Sequence, residues 1–158
     1  MTTAYTSLLG LALPVTGELS GTWGDTVNNY ITQYVDSAVA GTQTISGSQT
    51  VVTLSVTTAV SLTQVGSGAT GSAQYSVINC TGNPASTLVI TAPAASKAYV
   101  VINATSTSQS VTLKASATTG VTLVSGEKAF VAWNGSDFVK IATSISGAGA
   151  ITAVSVAS

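Results

Sequence analysis

From residue 43 onward the chain breaks into short runs in which apolar, mostly β-branched residues alternate with Thr and Ser. They are TVVTLSV (50–56), AVSLTQV (59–65), QYSVINC (74–80), TLVITA (87–92), AYVVIN (98–103), SVTLKA (110–115), GVTLV (120–124), KAFVAW (128–133) and DFVKIA (137–142). A period of two sends successive side chains to opposite faces, so each run reads as a strand with one buried face. About nine such runs at spacings near ten residues, divided by Gly, Pro, Ser and Asn, predict an antiparallel β-sandwich or barrel-like domain. Asn134-Gly135, between the last two runs, is the best local hairpin signal.

The front of the chain has another rhythm. Residues 1–21 carry Leu8, Leu9, Leu11 and Leu13 before Pro14, and glycines at 10, 17 and 21 favour an extended or looped leader. From Thr22 to Ala40 the apolar residues fall at Trp23, Val27, Tyr30, Ile31, Tyr34, Val35, Ala38 and Val39, the spacing of one helix face. Ser20 or Thr22 is placed to cap this amphipathic helix and Gly41 to stop it. A helix of about five turns is marginal alone in water, so its face needs the β domain or copies of itself. The spacing of Val27, Ile31, Tyr34 and Ala38 fits a short heptad seam, too short to define a coiled coil. The expected organisation is a leader and helix (1–42), a β domain (43–143) and a β-prone, uncharged tail (144–158) suited to pairing with a neighbouring chain.

Composition narrows the function classes. Charged residues make up 6% of the 158 residues, against roughly 25% in ordinary domains. With a net charge of -1, self-repulsion is weak, which fits a chain that lives in an assembly. The four cations are all lysine and histidine is absent, so no basic groove for nucleic acid is expected. No apolar run reaches the length of a membrane span, and the N-terminus lacks the basic start of a secretory signal. Cys80 has no partner for a disulfide and reads as a buried, inert thiol. Asn79, Asn103 and Asn134 each begin an Asn-x-Ser/Thr triplet, expected by chance in so hydroxyl-rich a chain.

Catalytic patterns are sparse. Without histidine there is no Ser-His or Cys-His pair and no imidazole metal ligand, so neither enzyme activity nor a cofactor is expected. Carboxylate pairs for glycosidic cleavage would have to come from Glu18, Asp25, Asp36, Glu127 and Asp137, of which Glu127 and Asp137 flank the last hairpin. The glycines in VGSGATGS (65–72) lack the strand-to-helix setting of a phosphate loop. Trp133, beside Asn134, is the aromatic best placed for a surface contact with a host glycan.

Two segments resemble a known group of proteins. LGLALPVTGELSGTWGDTVNNYITQYVDSAVAG is similar to the N-terminal segment of bacteriophage tail-fibre and appendage proteins, matching at Leu9, Gly10, Leu13, Pro14, Thr16, Gly17, Gly21, Thr22, Trp23, Gly24, Asp36, Ala38, Val39, Ala40 and Gly41. Residues 99–141 look like the β module that recurs in those proteins, ending in a Trp-Asn-Gly-x-x-Phe-Val hairpin. The resemblance implies a homotrimeric virion structural protein on the phage particle surface, a short tail appendage or a tail-fibre base. Its leader would dock on other virion proteins of the tail, nozzle or adaptor, or capsid, and its helix would bundle with its copies. Docking and oligomerisation would then fall to Leu9, Leu13, Pro14, Trp23, Val27, Ile31, Tyr34 and Ala38. Only about a hundred residues follow the anchor, shorter than a long shaft with a receptor tip. That length keeps a capsid decoration or head fibre open, with a glycan-binding module as a third reading.

Overall fold

The computed structural model describes residues 3–60, 62 and 69–145. The chain is mainly β, with one helical segment near its front. The leader forms a small antiparallel hairpin, β1 (Ala4–Tyr5) with β2 (Ala12–Leu13). The helical segment is α1 (Trp23–Val27), a π-helical turn over Asn28–Thr32, and α2 (Gln33–Ala40). Thr22 stands at the N-cap position without a side-chain bond, and the Gly41 N–H closes the other end on the Ser37 carbonyl at 3.0 Å.

The β domain has ten strands among the described residues: β3 (Thr42–Ile45), β4 (Val51–Ser55), β5 (Thr70–Ser72), β6 (Val77–Cys80), β7 (Leu88–Thr91), β8 (Ala98–Asn103), β9 (Val111–Lys114), β10 (Val121–Leu123), β11 (Glu127–Trp133) and β12 (Phe138–Ile145). They form two five-stranded sheets, ordered β12-β11-β8-β6-β3 and β10-β9-β7-β4-β5. Their inward residues share one core, with Ile78, Val101 and Val131 from the first sheet meeting Ile90, Leu113 and Leu123 from the second. Neither sheet closes into a barrel.

The expected all-antiparallel pairing is corrected. β3 with β6, β6 with β8, β4 with β5, β4 with β7 and β7 with β9 are parallel. Only β8 with β11, β11 with β12 and β9 with β10 are antiparallel in the two sheets. The cause lies in the connections. β3 passes to β4, β6 to β7 and β8 to β9, each time crossing from the first sheet to the second, so the chain winds in stacked coils. Val77 pairs with Val100 and Val89 with Thr112, a step of 23 residues in both sheets. Alternation is the same for parallel and antiparallel half-buried strands, so the sequence pattern is silent on direction.

The corners of the coils are bonded to one another. Gly82 N donates to Ile45 O at 3.1 Å, Asn83 N to Gly47 O at 3.1 Å, Ala104 N to Cys80 O at 2.9 Å and Ser106 N to Gly82 O at 3.1 Å. A side chain on Gly82 would begin 2.1 Å from Gly47 O, so only glycine lets these backbones stack. Asn103 locks the third corner: its amide donates to Gln109 O and Leu123 O, and its oxygen accepts from the Thr105 N–H and hydroxyl. Asn103 is therefore buried and engaged on both sides of its amide, closed to modification.

Local details add to the sequence reading. β3, β5 and the leader hairpin carry no alternating run of their own in the sequence reading, yet all are strands. Residues 59, 60 and 62 of the AVSLTQV run are not strand, and the rest of that run, most of VGSGATGS and residues 146–158 of the tail lie outside the described residues. The hairpin at Asn134-Gly135 forms with a four-residue loop, since Trp133 pairs with Phe138. Gly82→Ala is expected to cost about 1–3 kcal/mol in urea unfolding, whereas Gly24→Ala, with nothing within 4 Å of its new methyl, should leave stability unchanged or slightly raised.

Candidate docking surface

The leader is held to the β domain by one buried amide. Gln74, fully buried, donates to Leu9 O at 3.0 Å and Thr57 O at 2.6 Å, while its oxygen accepts from Thr57 N at 3.2 Å and from the Ser72 hydroxyl. The leader turn is itself tight: Leu11 N donates to the Thr6 hydroxyl at 2.9 Å and Gly10 N to Thr6 O at 3.0 Å. Gly10 has φ +66°, and a side chain there would start 2.4 Å from Thr57 O. The Leu-Gly element is thus fixed by close backbone approach as well as by conformation.

The helix docks through polar ends of its buried side. The Tyr34 hydroxyl donates to Val60 O at 2.6 Å, and the Gln33 amide donates to Leu62 O at 3.1 Å. Its buried residues are Thr26, Tyr34 and Ser37. Tyr34 is 0% exposed and bonded within its own chain, which removes it from the seam expected between copies. The π turn widens one turn of helix, so the residues before and after it no longer keep the phase of a straight 3.6 repeat.

The other expected docking residues take several positions. Val27, Ile31 and Ala38 are half-buried, Leu13 is exposed on β2, and Trp23 is exposed at the helix start. Pro14 and Trp23 come together in a shallow cup of about 320 Å³. Leu9 and Ala38 come together in a second cleft of about 370 Å³, with Leu8, Val56, Pro93 and Tyr99. Val39, 75% exposed, and Val35 extend this apolar surface beyond the expected set.

Sequence reasoning missed two residues that build this region, Gln74 and Lys97. Lys97 lines the cleft, donates to Ala73 O at 2.6 Å and to Gln74 O, and sits 5.0 Å from the Tyr99 ring centre. Burial pulls its ammonium down to about 8. A polar residue at the head of an apolar run, as in QYSVINC and KAYVVIN, was the only available signal.

The carboxylates near the last hairpin do not form a pair. Glu127 begins β11 and Asp137 follows its far end, a separation of about 20 Å along the strand. Glu127 is 3% exposed and accepts from Lys140 Nζ at 2.6 Å, the Thr143 hydroxyl and Val124 N at 2.9 Å. Burial raises its carboxyl, but these bonds and the Lys140 charge outweigh that and hold it below the usual glutamate value. Asp137 accepts from Gly120 N at 3.0 Å and Phe138 N at 2.7 Å, tying the hairpin loop to the turn before β10. The Thr118 hydroxyl, first among its partners, holds it below the usual aspartate value.

Trp133 is half-buried, edge-on to Phe138 at 5.3 Å, while Asn134 is exposed and its oxygen accepts from Ser136 N and Asp137 N. Both are therefore engaged in building the hairpin. The Cys80 thiol is buried, and burial pushes it up to about 12. Among the described residues no group of three or more Cys, Asp or Glu could hold a metal, and no helix is long and apolar enough to cross a membrane.

Gln74→Leu leaves Leu9 O and the Thr57 peptide without their partner, and a loss of about 1–3 kcal/mol is expected, with faster hydrogen exchange over residues 3–13. Because the Glu127 carboxyl is held low in the folded chain, its contribution is present above the ordinary value near 4.5 and lost as pH falls below it. Thermal unfolding of Glu127→Gln across pH 3 to 6 should show a flatter acid limb than the wild type. No family model, curated protein or solved structure matches this chain.

Proposed function

We propose that this chain is a structural subunit of a bacteriophage particle, a short homotrimeric tail appendage or tail-fibre base that docks through its leader and helix. The observation that carries the reading is the apolar surface of residues 8–39. Leu8, Leu13, Val15, Trp23, Val35 and Val39 are all exposed there, although the segment is tied to the β domain by Gln74 and Tyr34. Pro14, Val15 and Trp23 line one cleft there and Leu8, Leu9 and Ala38 another, and apolar groups gathered in this way support a contact site. It coincides with the Leu-Gly-x-x-Leu-Pro-x-Thr-Gly and Gly-Thr-Trp-Gly elements that resemble the phage anchor.

The role is non-enzymatic and needs no cofactor. Glu127 and Asp137 are engaged in structural bonds at opposite ends of a hairpin, which supports reading them as supports of the fold. Its partners are copies of itself and other virion proteins of the tail or its adaptor. A capsid decoration or head fibre is the second reading, because the same apolar surface serves a shell contact equally well. A glycan site at Trp133 is less well supported, since that ring packs on Phe138.

Copy number in the purified particle tests the assignment. Quantitative mass spectrometry against the major capsid protein, with antibody-labelled electron microscopy, should find a few trimers at the tail vertex. Hundreds of copies over the shell would replace the tail role with decoration, and absence from the particle would overturn both. Val39→Lys is expected to lower incorporation while leaving unfolding unchanged, because the side chain is 75% exposed in the free subunit.

A further inference from the structure

The two sheets turn different chemistry outward. On the outer face of the second sheet, Thr70, Thr53, Thr91 and Lys114 form one row and Val51, Val89, Thr112 and Thr122 another, with the Thr112 and Thr122 hydroxyls 2.9 Å apart. On the first sheet the register sets Thr42, Val77, Val100, Phe130 and Ala142 side by side across all five strands. Phe130 is 44% exposed and Val100 38%. The bulge in β12 opposite Phe130 and Val131 adds Ile141, 60% exposed, to the same edge. The second sheet also turns Val51, 55% exposed, and Val89 outward, but beside threonines, whereas on the first sheet Val77, Val100, Phe130 and Ala142 form an unbroken apolar row across four adjacent strands.

We infer that the outer face of the β12-β11-β8-β6-β3 sheet is where copies of this chain meet, with Val100 and Phe130 drawn together around a symmetry axis. Five strands about 4.8 Å apart and four to five residues along them give a face of roughly 400 Å², the size of a contact patch. A standard interface takes about 800 Å² per partner, so pairing through a patch of this size is weak and concentration-dependent.

Charge selects the occupant. The face carries one ion, Lys128, which already has a partner within the chain and so asks for no acidic surface. A partner of ordinary composition, about a quarter charged, would set unpaired ions against Phe130. A second copy, 6% charged, brings an equally ion-poor face. The inference deepens the self-assembly part of the proposed function but stands on the sheet alone, so loss of the virion assignment would leave it intact.

Light scattering on the eluting full chain tests it. The wild type should show a multiple of 15.6 kDa, and Phe130→Lys should fall to the single-chain mass at concentrations where the wild type is assembled, a weakening of roughly ten-fold or more. Thr53→Lys, on the hydroxyl face, should keep the wild-type mass, with circular dichroism reporting the fold of each variant. Val100→Cys provides a second readout that adds no charge: oxidation should give covalently linked copies, while the buried Cys80 of the wild type gives none. A wild type that stays single-chain to about 100 µM, an unchanged mass for folded Phe130→Lys, or assembly without cross-linking at Val100 would each overturn the inference.

Discussion

The backbone bonds that run from one corner to the next set the spacing of everything else. They hold residues 46–50, 81–87 and 104–110 one above another, which keeps each new coil in register with the last. In register, Ile45, Cys80 and Asn103 stack in one inward column and Val52, Ile90 and Leu113 in another. A slip of one residue would turn every one of these side chains outward. The column tolerates a polar end because Asn103 has Gln109 O and Leu123 O above the last coil to receive its amide.

On the opposite side of the coils Gly41 O accepts from Val77 N and Ser76 O from Val100 N, and the leader and helix lie there. There Gln74, Lys97 and Tyr34 bond to main-chain carbonyls of separate segments, Leu9, Thr57, Ala73 and Val60 among them. Buried polar groups of this kind act through geometry, since each fixes where a backbone segment passes and is costly to leave unpaired. Leu8, Leu13, Val15, Trp23, Val35 and Val39 remain exposed, while Ala12 and Tyr34 are buried. The ion-poor composition and the apolar row on one sheet are consistent with the self-association proposed above.

Much of this was legible in the sequence, and the gaps have physical reasons. Runs such as TVVTLSV and KAFVAW announce a strand because alternation follows from the pleat. β3 escaped because one of its two inward positions is Gln43, leaving Ile45 alone, and β5 because Thr-Gly-Ser has no apolar face. Direction escaped because it depends on which sheet the chain enters next. The helix was visible in its spacing, but the π turn decides which side faces the domain, so Thr26 and Ser37 are buried while Val35 and Val39 are not. Pro14 with Trp23, and Leu9 with Ala38, did come together, whereas Tyr34 turned inward.

The order of the pairings bears on how the chain reaches this state during synthesis. Among hydrogen-bonded neighbours in the β domain the shortest connection closes β11 on β12, while β3 must find β6 and β4 must find β7 across separations of 35 and 38 residues. Loop-closure entropy makes the late hairpin the least costly to form, and β11 then offers β8 a template. A ribosome delivers the other end first. Until β11 has emerged, β8 lacks its antiparallel neighbour, and an unpaired strand edge of that kind is open to aggregation.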